Sequence, residues 1–371
     1  MCSFDDAKIF ALIALLIAAS SLNALAEGKE RVAVPGTRAI TVVASTVPAN
    51  GDVNPYGLVV IPVSSGSLVA GNLLVSNFNN NLNLQGTGTT IVQITPGGAV
   101  SLFAQINASS LPAPCPGGVG LTTALSVLRS GWVIVGSLPT TDGTSATAQA
   151  GCLLVLDHNG NVVETFYGSL INGPWDMTAY DLGSTADLFV TNVLNGTVAA
   201  DGAGVNQGTV IRLNLTGLAG SMPNLESITV IGSGFSERTD PVALVIGPTG
   251  VGMSPDRKTL YIADALNNRV QRIANPVTLT TSAGTGSTLS SGGFINDPLG
   301  LAVAATGDVF ETNGGNGQLV EINPAGSQVF WPFLDISGNP PGNGALFGLA
   351  PLPAPGLYYV DDATNTLNFF N

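Results

Sequence analysis

One segment of the chain recurs along most of its length, and this repeat constrains the fold more than any other feature. Its clearest copy spans residues 240–273, where a β-rich run meets a tight polar turn at 254–257. The runs TLYIAD and RVQRI then follow one another closely. Short apolar runs that alternate with Gly, Pro and Asp turns predict an antiparallel meander. Weaker copies elsewhere indicate that the chain is built from one repeated sheet.

Six copies align on one column of mostly small residues, each in an apolar run that leads through a turn into a second run. The column consists of Gly57, Ala124, Asp176, Ala243, Gly300 and Gly348. Its members are 67, 52, 67, 57 and 48 residues apart. Units of this length, with four short strands each, are typical of propeller blades. We therefore predict an all-β fold, a six-bladed β-propeller.

The predicted propeller is a single domain over residues 27–371, and its last blade lacks one strand. The blades are expected at about 54–110, 117–170, 172–235, 239–292, 296–336 and 343–371. The last copy has room for three strands, which would leave an open edge that invites aggregation. The β-rich run at 38–47 has no blade of its own. We predict that it pairs with the C-terminal blade and closes the ring.

The repeat resembles the NHL family of β-propellers. The shared pattern is a Pro-x-Gly-Leu-Ala lead, a Gly-Asp-Val turn, a strand that ends in Asp or Asn, and the sequence Asn-Asn-Arg-Val. The match is close over 240–273 and 297–323, and it is partial in the other four copies. The resemblance implies a propeller that binds a ligand or a protein through its loops.

Residues 1–26 are predicted to be a secretory signal peptide. The apolar run at 9–19 is too short to span a bilayer, and Ala24-Leu25-Ala26 ends a small-residue cleavage pattern. The leader departs from the usual pattern because Asp5 and Asp6 outweigh Lys8. A short membrane-anchoring helix is the alternative interpretation. We expect a secreted or periplasmic monomer with no membrane span in the mature chain.

Charge excludes one class of partner. The chain has 11 basic and 24 acidic residues, a formal net charge of −13, and no basic run. A chain this acidic does not attract phosphate backbones, so no nucleic-acid partner is expected. Only 9% of residues are charged, against about 25% in a typical domain, so we expect a surface rich in Ser, Thr, Asn and Gly.

Cys115 and Cys152 are the two cysteines of the predicted mature chain, and both lie in the second copy of the repeat. Cys115 precedes the first strand of that copy, and Cys152 opens the third strand after a long loop at 138–150. In a meander these two positions lie at the same end of the blade. Given a secretory signal, we predict a disulfide that fastens the loop. Two separate thiols are the alternative.

Polar and aromatic residues recur where each first strand begins and each second strand ends. Antiparallel pairing brings these positions to one face, which we call the upper face. The candidate ligand-binding residues there are Asn54, Tyr56, Asn77, Asn172, Trp175, Asn192, Asp240, Asp264, Asp297, Asn313 and Asp361, together with Ser137 and Phe347. Asp and Asn at strand ends also cap backbone groups, so a structural role is the alternative. The aromatic residues could stack on a ligand or wedge between blades.

A divalent cation would be the cofactor of an enzyme on this face. Carboxylate and amide oxygens that converge on one axis suit Ca²⁺. Residues 172–175, Asn-Gly-Pro-Trp, resemble a ligand-bearing lead of the SMP-30 and gluconolactonase propellers, and the resemblance implies Asn172, Asp240 and Asp297 as metal ligands. The Glu-Gly-Pro motif of those propellers does not occur here. Asp240 or Asp297 would be the group that assists hydrolysis.

The single histidine excludes several enzyme classes. His158 lies in Asp-His-Asn-Gly, a predicted hairpin turn on the face opposite to the candidate site. Ser-His-Asp catalysis and zinc sites built from several histidines cannot be assembled from it. Three functions remain: a secreted binding protein for a small ligand or protein with no chemistry, a calcium-dependent lactonase or esterase, and a structural module of the cell surface.

Overall fold

The computed structural model describes residues 39–353 and 355–371, which form six antiparallel sheets. The first strands of neighbouring sheets contact one another in a closed cycle, in which the first sheet also contacts the sixth. This confirms the prediction of a six-bladed β-propeller. The predicted signal peptide at 1–26 lies outside the described residues.

Most blades have four strands that run in chain order from the axis outward. Blades one and two consist of β2 Val53–Val60, β3 Leu73–Asn79, β4 Thr90–Ile94, β5 Val100–Gln105, β6 Leu121–Val127, β7 Val133–Ser137, β8 Cys152–Leu156 and β9 Val162–Phe166. Blade three consists of β10 Pro174–Asp181, β11 Ala186–Asn192, β12 Val205–Thr216, β13 Asn224–Asp240 and a fifth strand, β14 Leu244–Ile246.

Blades four and five consist of β15 Pro248–Met253, β16 Thr259–Asp264, β17 Arg269–Ala274, β18 Ser287–Ser291, β19 Pro298–Val303, β20 Val309–Asn313, β21 Leu319–Ile322 and β22 Gln328–Phe330. Blade six consists of β23 Leu346–Pro351, β24 Leu357–Asp361, β25 Thr366–Phe370 and β1 Ile40–Ser45. Three short 3₁₀ helices lie at Ala108–Ser110, Ser145–Thr147 and Ala265–Asn267. No helix within the described ranges is long and apolar enough to cross a membrane.

The N-terminal strand closes the ring as predicted. β1 pairs antiparallel with β25, and the register runs from Ile40 opposite Phe370 to Ser45 opposite Thr366. The backbone bonds continue beyond the strands, where Ala39 N donates to Asn371 O at 3.0 Å. The last blade therefore takes its fourth strand from the other end of the chain, and β25 is paired on both sides.

The fourth copy of the repeat corrects the sequence alignment. The first strand of blade four is β15, in which Pro248 pairs with Asp264, so Gly250 and not Ala243 occupies the aligned column. The run after Asp240 instead turns back on the end of β13 as β14, where Leu244 pairs with Asp240. The runs that begin at Pro241 and Pro248 are seven residues apart and have similar patterns, so the sequence alignment placed the first of them in the column.

The column is small because neighbouring first strands approach closely there. A Cβ atom added at Gly300 would lie 2.0 Å from Phe347 O, and one added at Gly348 would lie 2.4 Å from Tyr56 O. At Gly250 it would meet Leu301 N at 2.3 Å. Such distances are far inside van der Waals contact, so a side chain at these positions would force the blades apart.

Hydroxyl groups of three second strands join neighbouring blades beside this column. In blade three, Asp176 N donates to Thr191 Oγ1 at 3.1 Å, and that hydroxyl donates to Thr249 O of blade four at 2.7 Å. Ser76 makes the same connection from blade one to blade two, and Thr312 makes it from blade five to blade six. Each hydroxyl satisfies a buried amide and a buried carbonyl that strand pairing leaves free.

Cys115 and Cys152 form a disulfide, with their Cα atoms 5.2 Å apart. The predicted pairing is therefore confirmed. The bridge closes a loop between positions 37 residues apart and joins the approach to β6 to the first residue of β8.

Candidate functional site

The candidate residues that end the second strands occupy one equivalent position in all six blades. Each lies at the end of its strand or within two residues of it, and pairs with a residue at the start of the first strand of its own blade or within two residues of that start. The pairs are Pro55 with Asn77, Leu121 with Ser137, Pro174 with Asn192, Pro248 with Asp264, Pro298 with Asn313, and Leu346 with Asp361. The sequence therefore located a true ring of polar residues at the upper face.

Several of these side chains bond to residues in or next to the neighbouring loops. Asp264 Oδ2 accepts from Arg269 Nε at 2.7 Å, and its Oδ1 accepts from Asn267 Nδ2 at 2.9 Å. Asn313 Oδ1 accepts from Asn296 N at 2.7 Å, and Asp361 Oδ1 accepts from Thr364 N. These bonds fasten loops, in line with the structural alternative. A role in ligand binding at these positions stays a prediction.

The aromatic residues of the upper face are packed together in the interior. Tyr56, Trp175 and Phe347 are 2%, 3% and 1% exposed. The Tyr56 ring stacks on Phe347 with centroids 3.8 Å apart and on Phe78 at 4.4 Å. Of the two predicted roles, packing is therefore the one observed.

The returning strand β14 covers this aromatic cluster. Ala243, Leu244, Val245 and Ile246 are buried in the same cluster as Tyr56, Trp175 and Phe347. Trp175 Nε1 donates to Val245 O at 2.9 Å, which fixes the indole beneath the strand. The upper mouth of the propeller is consequently filled by its own aromatic side chains and by β14.

The candidate residues before the first strands are not all equivalent. Asn54 and Asp297 each precede the proline that begins the aligned part of the strand, and both adopt left-handed backbone conformations with φ of 62° and 54°. Asn172 lies two residues before Pro174. Asp240 ends β13, so it belongs to the outer strand of blade three and not to the entry of blade four.

Asp240 and Asp297 nevertheless come close together, and Glu311 joins them. Burial raises the pKa of Asp297 to about 6, and repulsion from Asp240 adds to the effect. Burial, and then repulsion from Asp297, holds the pKa of Glu311 well above its ordinary value. Glu311 lies on β20 opposite Leu301 and is fully buried. Charge repulsion thus links Asp240 to Asp297 and Asp297 to Glu311, and we call these three acids the acidic cluster.

The acidic cluster has free oxygen atoms of the kind that a hard cation binds. Neither carboxylate oxygen of Glu311 has a hydrogen-bond partner among the described residues, and the same is true of Asp297 Oδ1. Asp240 is already engaged, because Oδ1 accepts from Val242 N at 2.8 Å and Oδ2 pairs with Arg238 at 3.0 Å. Asp297 and Glu311 therefore fit a divalent cation better than Asp240 does.

The expected ligand set of Asn172, Asp240 and Asp297 is not a preformed carboxylate site. Over residues 39–353 and 355–371, no group of three or more His, Cys, Asp or Glu side chains is arranged to hold a metal ion. Two carboxylates with amide, carbonyl or water oxygens would be needed to complete a calcium site.

Asn172 belongs to a second polar cluster in blade three. Its Nδ2 donates to Asn195 Oδ1 at 2.5 Å, and Asn195 N donates to Glu237 Oε1 at 3.1 Å. Glu237 is fully buried, and its burial raises its pKa to about 8. Within the described residues, neither amide atom of the fully buried Asn192 has a hydrogen-bond partner.

The lower half of the propeller axis is open and forms a cavity of about 370 Å³. Its walls come from the later residues of all six first strands, including Leu58, Leu125, Val251, Leu301 and Leu349. Asp176 also lines it, and burial raises the pKa of this carboxyl to about 8. His158 lies in the turn between β8 and β9, on the lower face, as the sequence predicted.

Sequence reasoning missed Glu237 and Glu311 as candidates and treated Asp176 only as a member of the small-residue column. A signal for Glu311 was present, because VFETN places a lone carboxylate inside an otherwise apolar strand. A buried strand has no solvated face, so a charged residue within it must point at another buried group.

No protein-family profile matches this chain, and no curated protein matches it in sequence. Solved structures do match in fold. A gluconolactonase from Xanthomonas campestris superposes with a TM-score of 0.54 at 12% identity, over 91% of this chain and 90% of that one. Regucalcin from Agrobacterium tumefaciens, a calcium-binding protein, gives 0.55 at 14% identity over 89% and 95%. A streptogramin B lyase gives 0.51 at 14% identity over 90% and 97%.

At 12–14% identity these similarities show the fold and not the activity. The proteins named as a lyase and as a gluconolactonase share one fold, so the fold does not identify the activity and the function must be argued from the site. The chain is a six-bladed β-propeller whose structural neighbours include propellers of the SMP-30 and gluconolactonase kind.

Proposed function

We propose that this chain binds a divalent cation, Ca²⁺ by ligand chemistry, at the acidic cluster and hydrolyses a lactone or a related ester there. The observation that carries the proposal is the pair Asp297 and Glu311, whose buried carboxylate oxygens lack partners among the described residues. Buried carboxylates without donors are unfavourable unless they are protonated or bind a cation. The gluconolactonase and the calcium-binding regucalcin among the structural neighbours support the same choice.

The residues of the acidic cluster have separable roles in this proposal. Asp297 and Glu311 would hold the cation, and a bound cation would polarise a substrate carbonyl. Asp240 positions its neighbours, since it bonds to Val242 N, Ala243 N and Arg238. Asp297 is half-buried, so of the three acids it is the most accessible to a substrate at the upper face.

Thermal unfolding with calcium and with a chelator tests the cation site directly. A ligand that binds only the folded state raises stability, by about 2.7 kcal/mol at a free concentration 100 times its Kd. We expect calcium to raise the Tm of the wild type and of Glu226→Gln, which removes an exposed acid of β13. Glu311→Gln should abolish the calcium response. If calcium fails to shift the wild type, or shifts Glu311→Gln equally, the cation site is wrong.

Hydrolysis is then measured on a δ-lactone and on an aryl ester, with and without the chelator. Chelator-sensitive turnover that Asp297→Asn lowers at least tenfold is the expected result. If calcium stabilises the protein but no lactone or ester is hydrolysed, the proposed hydrolase activity is wrong and the proposed cation site is retained.

A second candidate is a binding protein that performs no chemistry at this face. The observation that favours it is the filled upper mouth, because Tyr56, Trp175, Phe347 and β14 leave no open route along the axis from above. In that case the partner would contact the loops of the upper face, and added calcium would leave the Tm unchanged.

A further inference from the structure

The cavity on the lower half of the axis is a second concave site, distinct from the acidic cluster. Its volume of about 370 Å³ falls within the range of small-molecule pockets, roughly 300–1,000 Å³. Every blade contributes a first strand to its wall, so the wall is as rigid as the ring itself. None of Tyr56, Trp175 and Phe347 lines it, because they close the axis above.

The wall of this cavity combines polar groups with aliphatic side chains. Leu58, Val127, Val303 and Leu349 are among the aliphatic residues that line it. The hydroxyl residues that line it are Thr123, Ser126 and Thr178. Asp176 is the one ionisable side chain among the described residues that line the cavity.

Asp176 is held rigidly, with part of its carboxylate committed to the protein. Oδ2 accepts from Val251 N of the next blade at 2.9 Å, and Met177 N also donates to the carboxylate. The Asp176 amide is fixed to Thr191 Oγ1 at 3.1 Å. The aligned positions are Gly57, Ala124, Gly250, Gly300 and Gly348, so blade three alone places a long polar side chain at this level of the axis.

We propose that this cavity binds a small organic amine, whose ammonium group pairs with the Asp176 carboxylate while its hydrocarbon part packs against the aliphatic side chains that line the cavity. A single fixed carboxylate in a cavity that is also lined by aliphatic side chains selects a ligand with one positive group and a small hydrocarbon body. The pair would form away from water, where a charged hydrogen bond is stronger than it is at the surface. The site is independent of the calcium proposal, because no residue of the acidic cluster lines the cavity.

Charged groups near Asp176 do not compete for this role. Its pKa is raised by burial and lowered by the Val251 and Met177 amides, with no contribution from another charged side chain. The nearest charged rim is a groove on the lower face that shares Thr178, Ala179 and Met253 with the cavity and contains Arg129, Asp181 and Arg257. Both arginines are exposed, so solvent and salt screen them from the interior.

Amine binding should depend on pH in one direction. The carboxyl has a raised pKa of about 8, so it is mostly protonated below that pH and must lose its proton to pair with an ammonium group. An alkylammonium stays charged over this range. Affinity should therefore rise at least about tenfold between pH 6 and pH 8.

The test is calorimetric titration of the full chain with benzylamine and with its neutral analogue, benzyl alcohol. Benzylamine should bind more tightly than benzyl alcohol at pH 8 and should lose that advantage at pH 6. Asp176→Asn should weaken benzylamine at least tenfold and leave benzyl alcohol within about twofold. Equal binding of the two compounds by the wild type, or no binding of benzylamine at pH 8, would overturn the proposal.

Two further variants separate the site from a general effect on folding. Asp181→Asn makes the same substitution in the adjoining groove and should leave benzylamine affinity within about twofold. Ala302→Phe places a ring in the cavity from the wall of blade five and should abolish binding while Asp176 is intact. Retained binding in Ala302→Phe would locate the amine elsewhere and refute the assignment, with the Tm of each variant confirming that it is folded.

Discussion

The two mouths of the propeller are built from the two halves of the same six strands, yet one is full and the other is open. At the upper mouth the first strands bring in Tyr56, Trp175 and Phe347, and β14 covers them. At the lower mouth the same strands present shorter side chains such as Val60, Val127 and Val303 around a cavity of about 370 Å³. Strand geometry is shared, so side-chain size and the covering strand β14 together decide which half of the axis is accessible.

This difference separates the roles of polar groups in the molecule. Acids of the upper face sit in loops and between blades, where most are bonded to the backbone or to Arg238 and Arg269. The acid of the lower half, Asp176, faces a cavity. A ring of polar residues on a propeller therefore does not identify the accessible mouth by itself.

Trp175→Ala should produce the largest loss of stability. The substitution removes a fully packed indole and its bond to Val245 O, and burial losses of this size cost about 3–5 kcal/mol. Urea unfolding measures the loss. Trp331→Ala is the control, because Trp331 is 39% exposed and stacks only on the surface residue Phe294, so it should cost about 1 kcal/mol. Equal losses would mean that the upper mouth is not filled.

The pH dependence of stability should identify Asp176 in the lower half. Its pKa rises from an ordinary value of 3.8 to about 8 on folding, so the folded state binds the proton more tightly. Stability from this group is complete below about pH 4 and is lost as pH rises towards 8. The free energy of unfolding of Asp176→Asn, relative to that of the wild type, should increase by on the order of 4 kcal/mol between pH 5 and pH 8. Parallel urea curves for the two proteins over that range would contradict the burial of this carboxyl.

Removal of the disulfide should have a smaller effect, confined to blade two. Cys115→Ser with Cys152→Ser opens a loop between positions 37 residues apart, and losses of about 2–4 kcal/mol are usual for such bridges. Benzylamine affinity in the lower cavity should remain within about twofold, because neither cysteine lines it. If the double variant also lost benzylamine binding, the disulfide-bonded loop would influence the cavity, contrary to this expectation.

The smallest effects should come from neighbouring residues at the end of β11. Thr191→Val breaks the bonds to Asp176 N and Thr249 O and should cost about 1–3 kcal/mol. Asn192→Leu replaces a buried amide that has no partner among the described residues, and it should change stability by about 1 kcal/mol or less, in either direction. A large loss of stability in Asn192→Leu would mean that the Asn192 amide makes a hydrogen bond, contrary to this structure.

Much of the architecture could be predicted because each blade repeats the same local rules. The strand-end residues Asn77, Asn192, Asn313 and Asp361 fell into register, since a polar residue that ends an apolar run marks the end of a strand. The assignment at Ala243 was wrong because Pro241 and Pro248 both begin plausible strands. Only the pairing of β14 with Asp240 distinguishes them, and that contact depends on the folded blade.

The site was harder to predict than the fold. Glu311 and Glu237 are buried by neighbouring strands, and a single sequence does not reveal which faces of two blades meet. Tyr56, Trp175 and Phe347 each precede a residue of the aligned column, and the sequence left open whether they stack on a ligand or wedge between blades. That question depended on β14, an added strand with no counterpart in the other blades.

The pairing of β1 with β25 has a consequence for how the chain is made. Ile40 is synthesised before the other five blades and its partner Phe370 after them, so five blades can assemble while the sixth waits for residues 366–370. Until then Ile40–Ser45 has no strand to pair with, and its backbone groups can form hydrogen bonds with a strand of another chain. The ring is therefore most vulnerable to aggregation during translation, and a chain truncated before Thr366 would remain in that condition.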